Sequence, residues 1–371
     1  MLSSLHRAAA LIATTLLCLS AASAADDAVE TANAKAVQAV QQAMKERRIP
    51  GLQIAVVKHG RLLLSGAYGL ANVENQVPAS SRTLFPLNSA TKPFTGVAMM
   101  QLAEAGLVDL GAPISRYLDD LPEAWRRIRV RQLLAHTSGL PDIVDPRGLI
   151  GGATEIEAWK QVKALPVAAP AGERFSYNQT NYGLLAQIVT KLTRMPFEQY
   201  LAREQFKPAA MNVTMFGDSY DLVPNAATIY SVFPRGSLAP DDATRMSRWH
   251  YEIPYGLWSG GGLQTTAEEV ARWIIALSEG RLLKPASLKA MWTPEKLNNG
   301  TDGAWGAGWP VLQTSPQLQV AGIGGARAAF FVYPDEQLAI IVLTNLAGAN
   351  PQSFIPQIAA FYKNLPAAAG R

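Results

Sequence analysis

The stretch FPLNSATKPFTG, Phe85 to Gly96, sets Ser89 three residues ahead of Lys92. A serine hydroxyl is a weak nucleophile until a base takes its proton, and a lysine made neutral by burial can be that base. On a helix, a spacing of three puts both side chains on one face. Pro93 suits a first helical turn and not an interior one, so a helix is predicted to begin between Ala90 and Lys92 with Ser89 at its N-terminus. There the free backbone N–H groups and the helix dipole favour a developing negative charge. Chance must be weighed, because twelve lysines and twenty serines in 371 residues give such a pair by accident about 0.65 times. In isolation the pair is equally a helix cap beside a solvated lysine.

The rest of the chain excludes several other chemistries. The formal net charge of +4 is mild and scattered, with no basic block interleaved with aromatics, which argues against a nucleic-acid partner. His59, His136 and His250 lie far apart and neither HExxH nor CxxC occurs, so neither a metal nor another cofactor is expected. Glycines 260–262 suit a close backbone approach and are no phosphate cradle, since GxGxxG and GxxxxGK are absent. A Ser-His-Asp hydrolase would need a G-x-S-x-G elbow between strand and helix, whereas the nearest stretch, ALSEG at 276–280, follows a helical pattern.

The first 24 residues read as an export signal: a basic start with Arg7, an apolar run too short to span a bilayer, and small residues for cleavage after about Ala24 or Ala25. The single cysteine, Cys18, lies inside it, preceded by Leu17 where a lipoprotein site prefers a small residue. The mature protein is therefore expected to be periplasmic or extracellular, with no stable membrane anchor and no disulfide.

The elements that must position Ser89 come from both ends of the chain. Residues 28–46 put Val29, Ala32, Ala36, Val40, Ala43 and Met44 on one helical face. LQIAVV and RLLLSGAYG are strands around a Lys58-His59-Gly60 turn, and RAAFFVYP and QLAIIVLTN are strands around Pro334-Asp335, with a helix following from Pro351 to Asn364. Between them, helices are predicted over Lys92–Gly106, Val130–Leu134, Thr154–Lys163, Asn181–Leu192 and Phe197–Gln205. The pattern is α+β: an antiparallel sheet built from both chain ends, flanked by helices, with a mostly helical domain inserted. Residues 25–85 with 260–371 form the sheet domain and 86–259 the insertion, and a ligand site is expected at their junction.

In chain order, LFPLNSATKPFTG, LLAHTSGLPD at 133–142 and AGERFSYNQTNYGLLAQIV at 171–189 resemble the serine β-lactamase and penicillin-binding-protein superfamily, in particular its branch of class C β-lactamases, DD-peptidases and related esterases. FKPAAMNVT at 206–214, SGGGLQTTAEEVARWI at 259–274, WGAGW at 305–309 and FVYPDEQLAIIVLTN at 331–345 extend the resemblance over nearly the whole mature chain. It implies a β-lactamase/transpeptidase-like fold and a serine hydrolase that acylates Ser89 with the help of Lys92. Tyr177, in the second motif, would present its phenol to the serine and the leaving group. The substrate it implies is a small-molecule or peptide-like acyl compound, an ester or amide.

Two departures from the family pattern stand out. Gln179 replaces the usual asparagine of Tyr-x-Asn, and the third motif, normally led by a cation on the strand beside the serine, reads Gly322-Ile323-Gly324-Gly325. Gly325, or Ala326 one residue on, can still give an oxyanion-hole N–H alongside that of Ser89. Arg327 either restores the missing charge or is a surface arginine on an edge or outward face. These losses keep open an alternative, a catalytically degenerate member that binds or senses peptidoglycan fragments or another partner. His136 is expected to hold the Ser-Gly-Leu-Pro turn rather than to catalyse. Trp249, His250, Tyr251, Tyr255 and Trp258 either wall an acyl pocket or pack beneath a long loop.

Overall fold

The structure, a computed structural model, describes residues 26–146, 148–152, 154–233 and 245–365. The expected export signal and its cleavage point lie outside the described residues. Strand β1, Gly51–Lys58, is buried along its whole length, and its side chains alternate between two cores. Leu52, Ile54 and Val56 join Ala32, Ala36, Val40 and Ala43 of helix α1, residues 26–47, on one face. Ala55 and Val57 join Phe94, Trp273 and Phe330 on the other. A strand buried on both faces reads as a continuous apolar run, which explains LQIAVV.

His59 and Gly60, both at positive φ (50° and 71°), turn the chain into β2, Arg61–Asn72, as a two-residue hairpin requires. With β3 Val77–Pro78, β4 Val311–Gln313, β5 Gln319–Gly324, β6 Ala328–Tyr333 and β7 Leu338–Thr344 they form one seven-stranded sheet of order β4-β5-β6-β7-β1-β2-β3. Every pairing in it is antiparallel, and the two chain ends meet where Leu52 on β1 faces Thr344 on β7. The α+β sheet fed from both ends is thus the fold observed.

The helices that serve the sheet and the site are α2 Lys92–Glu104, α3 Thr180–Thr193, α4 Ala267–Ser278 and α5 Ile355–Ala360. On the second face Phe94 of α2 stacks on Trp273 of α4 at 3.9 Å, and the same apolar cluster runs on through Leu133, Leu185 and Ile188. Two predicted helices are shorter than expected. Pro356 cannot donate a helical hydrogen bond, so Pro351–Asn364 divides into a 3₁₀ turn at Pro351–Ser353 and α5. Phe197–Gln205 ends as an α-helix at Leu201 and widens into a π turn through Phe206. Among the described residues no helix is long and apolar enough to cross a membrane.

Candidate active site

Ser89 sits, half-buried, in a 3₁₀ turn, Asn88–Thr91, that runs directly into α2. Two strands clamp this turn. Leu87 N–H donates to Leu263 O at 2.8 Å, and Leu263 N–H donates to Thr91 Oγ1 at 3.2 Å. On the other side β5 closes against the turn at Gly324, where a Cβ would fall 1.8 Å from Leu87 O and 2.8 Å from Ser89 N. Only glycine permits that approach. The strand end and the Ser89 backbone N–H are therefore neighbours, the arrangement an oxyanion hole needs.

Lys92, fully buried, holds three acceptors: Gly260 O at 2.8 Å, Gln179 Oε1 at 3.0 Å and Ser89 Oγ at 3.5 Å. Glycine at 260 makes room, since a Cβ there would come within 2.9 Å of Gln179 Oε1. Gln179 thus reaches the lysine with its longer side chain, so the departure from asparagine keeps the amide contact. The Tyr177 hydroxyl donates to Ser89 Oγ at 2.7 Å, and Lys92 Nζ lies 4.7 Å from the centre of the phenol ring. Burial of the hydroxyl end pushes the Tyr177 phenol up, but the Lys92 charge, with hydrogen bonds from Lys92, Ser89 and Gln179, outweighs it and leaves the phenol below its ordinary value.

The loop that carries Tyr177 is knitted to the Ser138–Val144 turn. Asn178 Nδ2 donates to Leu140 O, Thr180 Oγ1 to Pro141 O, Ser138 Oγ to Asn181 Oδ1, and the Gln179 N–H to Asp142 Oδ1 at 2.9 Å. Burial raises Asp142, while the N–H donors around it and Lys92 pull the other way. Beneath Tyr177 lies His136, fully buried at φ 56°. Its Nδ1 accepts the Asn178 backbone N–H at 3.3 Å, which places the ring proton on Nε2. Burial, then the charge of Lys92, holds its pKa well below the usual histidine value, so the ring is neutral.

At the third motif, Gly324-Gly325-Ala326-Arg327 is a tight hairpin turn, with Gly325 and Ala326 both left-handed (φ 57° and 52°) and Arg327 N–H returning to Gly324 O at 3.0 Å. This turn corrects the surface reading of Arg327. The chain re-enters the sheet at Arg327 and carries the side chain inward, where it is 4% exposed with its guanidinium 4.9 Å over the Tyr251 ring. A Cβ on Gly325 would lie 2.6 Å from Asn88 Oδ1 and 2.7 Å from Arg327 Nε. Arg327 Nε and Nη1 and Asn88 Oδ1 are buried without a partner among the described residues. Burial lowers the Arg327 pKa to about 10.

The aromatic run divides. Trp258 stacks on Phe216 at 5.4 Å, whereas Trp249 and Tyr255 remain exposed. Sequence reasoning assigned no role to Asn88, Asp142 or the Gly260 carbonyl, although all three lie in stretches that carry the resemblance; their contacts with Gln179, Lys92 and the Gly325 turn depend on how distant segments meet. It also gave Trp305 no role beyond the WGAGW match to the family pattern, although the ring lies 5.9 Å from that of Tyr177. Among the described residues no cluster of His, Cys, Asp or Glu could hold a metal ion.

A sequence profile described as Beta-lactamase matches residues 36–360. Penicillin-binding protein 4* of Bacillus subtilis (strain 168) is 26% identical over 84% of this chain and 71% of its own length. Protein flp of Staphylococcus aureus (strain N315) is 25% identical over 83% of the chain, which spans 62% of that protein. Among solved structures, EstCE1, described as a hydrolase with promiscuous acyltransferase activity, superposes with a TM-score of 0.74 at 21% identity, covering 92% of this chain and all of that one. A penicillin-binding protein from Bacillus halodurans gives 0.70 at 22% identity, over 87% of this chain and 98% of its own.

Proposed function

Since the chain belongs to the beta-lactamase family, whose chemistry is acyl transfer and hydrolysis, we propose that it is a serine acyl hydrolase acting on an ester or amide through an acyl-Ser89 intermediate. The observation that carries this reading is the convergence of Ser89, Tyr177 and Lys92, with Tyr177 Oη 2.7 Å from the serine oxygen. Tyr177, as phenolate stabilised by the Lys92 ammonium, takes the Ser89 proton as Oγ bonds to the carbonyl carbon. The negative charge that develops on the carbonyl oxygen faces the N–H of Ser89 and that of Gly325 or Ala326. The intermediate collapses by breaking the bond to the leaving group, which takes the proton from Tyr177. Water then attacks acyl-Ser89 with Tyr177 as base; the Oγ–carbon bond breaks and Ser89 regains its proton. Gln179 and Gly260 fix Lys92, and Arg327 supplies positive potential beside Gly325. We further place the mature protein outside the cytoplasm, on the pattern of residues 1–24.

The test is covalent. A fluorophosphonate should form an Oγ–phosphorus bond at Ser89 with loss of fluoride, seen as added mass on the Ser89 peptide and absent from Ser89→Ala. Labelling by the phosphonate but not by penicillin would favour an esterase. No adduct with either probe, at high concentration and long times, would overturn the enzyme reading and leave a binding protein built on the same fold. Recovery of the protein from periplasm or medium with its N-terminus near Ala25 would support export; an intact Met1 would count against it.

A further inference from the structure

Beside Ser89 and Tyr177 the protein holds two aromatic side chains, Phe175 and Trp305, that the acylation chemistry does not use. Phe175 is 36% and Tyr177 38% exposed, and Trp305 is half-buried next to them. The rings of Phe175 and Trp305 stack at 6.3 Å with 27° between planes, and Trp305 lies 5.9 Å from Tyr177. Single exposed apolar side chains are ordinary, whereas neighbouring rings grouped beside a reactive group form a surface that can receive a ligand.

The arrangement is held from below by one residue. His136 lies 4.3 Å under Tyr177 at 33°, and meets the Trp305 ring edge-on at 4.8 Å and 89° and that of Phe175 at 5.9 Å and 79°. Its Nδ1 accepts the Asn178 N–H, so Nε2 carries the proton, and among the described residues the buried Nε2 has no N or O partner. Four aromatic rings surround this histidine, those of Phe175, Tyr177, Trp305 and, at 5.1 Å, Tyr182. A buried, neutral histidine therefore fixes three rings as one preformed surface.

The proton path decides which part of a substrate meets that surface. A general acid must lie within hydrogen-bond reach of the atom it protonates. Tyr177 returns its proton to the leaving group, so the leaving group lies on the Tyr177 side of Ser89, where Trp305 and Phe175 flank it. We propose that Phe175 and Trp305 form a specificity ledge for a planar apolar leaving group, making aryl-bearing esters or amides the substrate class of this site. This inference rests on the acyl-hydrolase reading above.

Benzyl acetate and propyl acetate test it, because their alcohols differ little in acidity and so in intrinsic leaving ability. The benzyl-to-propyl ratio of kcat/KM, followed by acid release, should fall about tenfold in Trp305→Ala, chiefly through KM, and by less in Phe175→Ala. Trp305→Phe should restore it. An unchanged ratio in Trp305→Ala, or an equal loss with both esters, overturns the ledge. A change confined to ethyl phenylacetate against ethyl propanoate overturns its assignment to the leaving-group side. Binding of benzyl alcohol against propanol to Ser89→Ala protein, by titration calorimetry or ligand-observed NMR, needs no turnover. A preference for benzyl alcohol that Trp305→Ala removes would uphold the ledge even if the phosphonate failed to label Ser89, and no preference would count against it. Melting curves of each variant separate a lost ledge from a lost fold.

Discussion

The Tyr177 hydroxyl lies 2.7 Å from Ser89 Oγ, while Lys92 Nζ is 3.5 Å from the same oxygen and closer to Gly260 O and Gln179 Oε1. The phenol is thus better placed to take the serine proton, and the lysine to keep the phenol acidic. The rate of Ser89 phosphonylation should rise with pH along a limb whose midpoint lies below the ordinary tyrosine value of about 10, as the lowered Tyr177 requires. Tyr177→Phe should cut the rate by about 10²–10⁴-fold and abolish the limb. In Lys92→Gln, loss of the ammonium should move the limb to higher pH. An unshifted limb in Lys92→Gln would contradict this division of labour.

Gly324 is where the sheet touches the Ser89 turn. Its added methyl would meet Leu87 O at 1.8 Å, and backbone on both sides leaves no flexible atom to give way. Gly324→Ala should lower kcat/KM by at least about 10²-fold through misplacement of the oxyanion donors, with a loss of about 1–3 kcal/mol in stability from overpacking. Gly322→Ala makes a useful contrast, because its nearest contacts are ring atoms of Phe330, the closest at 2.2 Å. It should disturb the core and leave the Ser89 turn in place. Thermal melts together with phosphonate labelling rates distinguish the two.

Much of the sheet was legible because its cause is local: the unbroken apolar run of β1 and the His59-Gly60 and Pro334–Gln337 turns fix strands and hairpins within a few residues. That Ser89 and Lys92 would meet was legible for the same reason, since they stand three residues apart on one turn. Tyr177 reaches Ser89 across 88 residues, and only the resemblance of its flanking sequence pointed there. The fate of Arg327 was not legible at all. Two successive left-handed residues, one of them an alanine, set the direction of that side chain, and nothing in the composition of GIGGAR announces them.

Arg327 is a charge kept in a costly place. The residue is 4% exposed, and among the described residues its guanidinium meets one ring face, that of Tyr251, with Nε and Nη1 unpartnered. Burying a cation without a counter-charge is unfavourable, and a packed apolar replacement of similar length is commonly neutral or better. Arg327→Met is therefore expected to match or exceed the wild type in stability, by up to about 2 kcal/mol in a urea titration, while lowering kcat/KM. A stability loss beyond about 2 kcal/mol would show that the guanidinium holds the Asn88–Tyr251 region together.

His136 gives the fold a pH dependence with a definite sign. Its pKa is depressed in the folded state by burial first and by Lys92 second, so the unfolded chain binds a proton more readily. The stability it contributes is present above the unfolded value of about 6.5 and is lost as pH falls below it. The melting temperature should therefore drop with decreasing pH from about 6.5 downward. His136→Asn should flatten that part of the profile. Asparagine tolerates the left-handed backbone at this position and can present an acceptor near Nδ1, so the variant should fold and lose the titration without losing the turn.

Glu269 ties the far wall of the site together, and a single acceptor set does it. Its carboxylate, 1% exposed, accepts the N–H groups of Asn212, Val213 and Thr214, the Thr214 hydroxyl at 2.6 Å and Arg272 Nη2 at 3.1 Å. Those residues lead into Met215–Phe216, which pairs with Leu263–Thr265, the strand whose Leu263 receives the Leu87 N–H beside Ser89. Removing the carboxylate strands several buried donors at once, so Glu269→Ala should cost about 3–5 kcal/mol and Glu269→Gln, which keeps one good acceptor, about half as much. Urea titration measures both. Because the damage enters through the strand that anchors Leu87, phosphonate labelling of Ser89 should slow in Glu269→Gln under conditions where the protein is still folded. Unaltered labelling there would show that the wall and the Ser89 turn are mechanically independent.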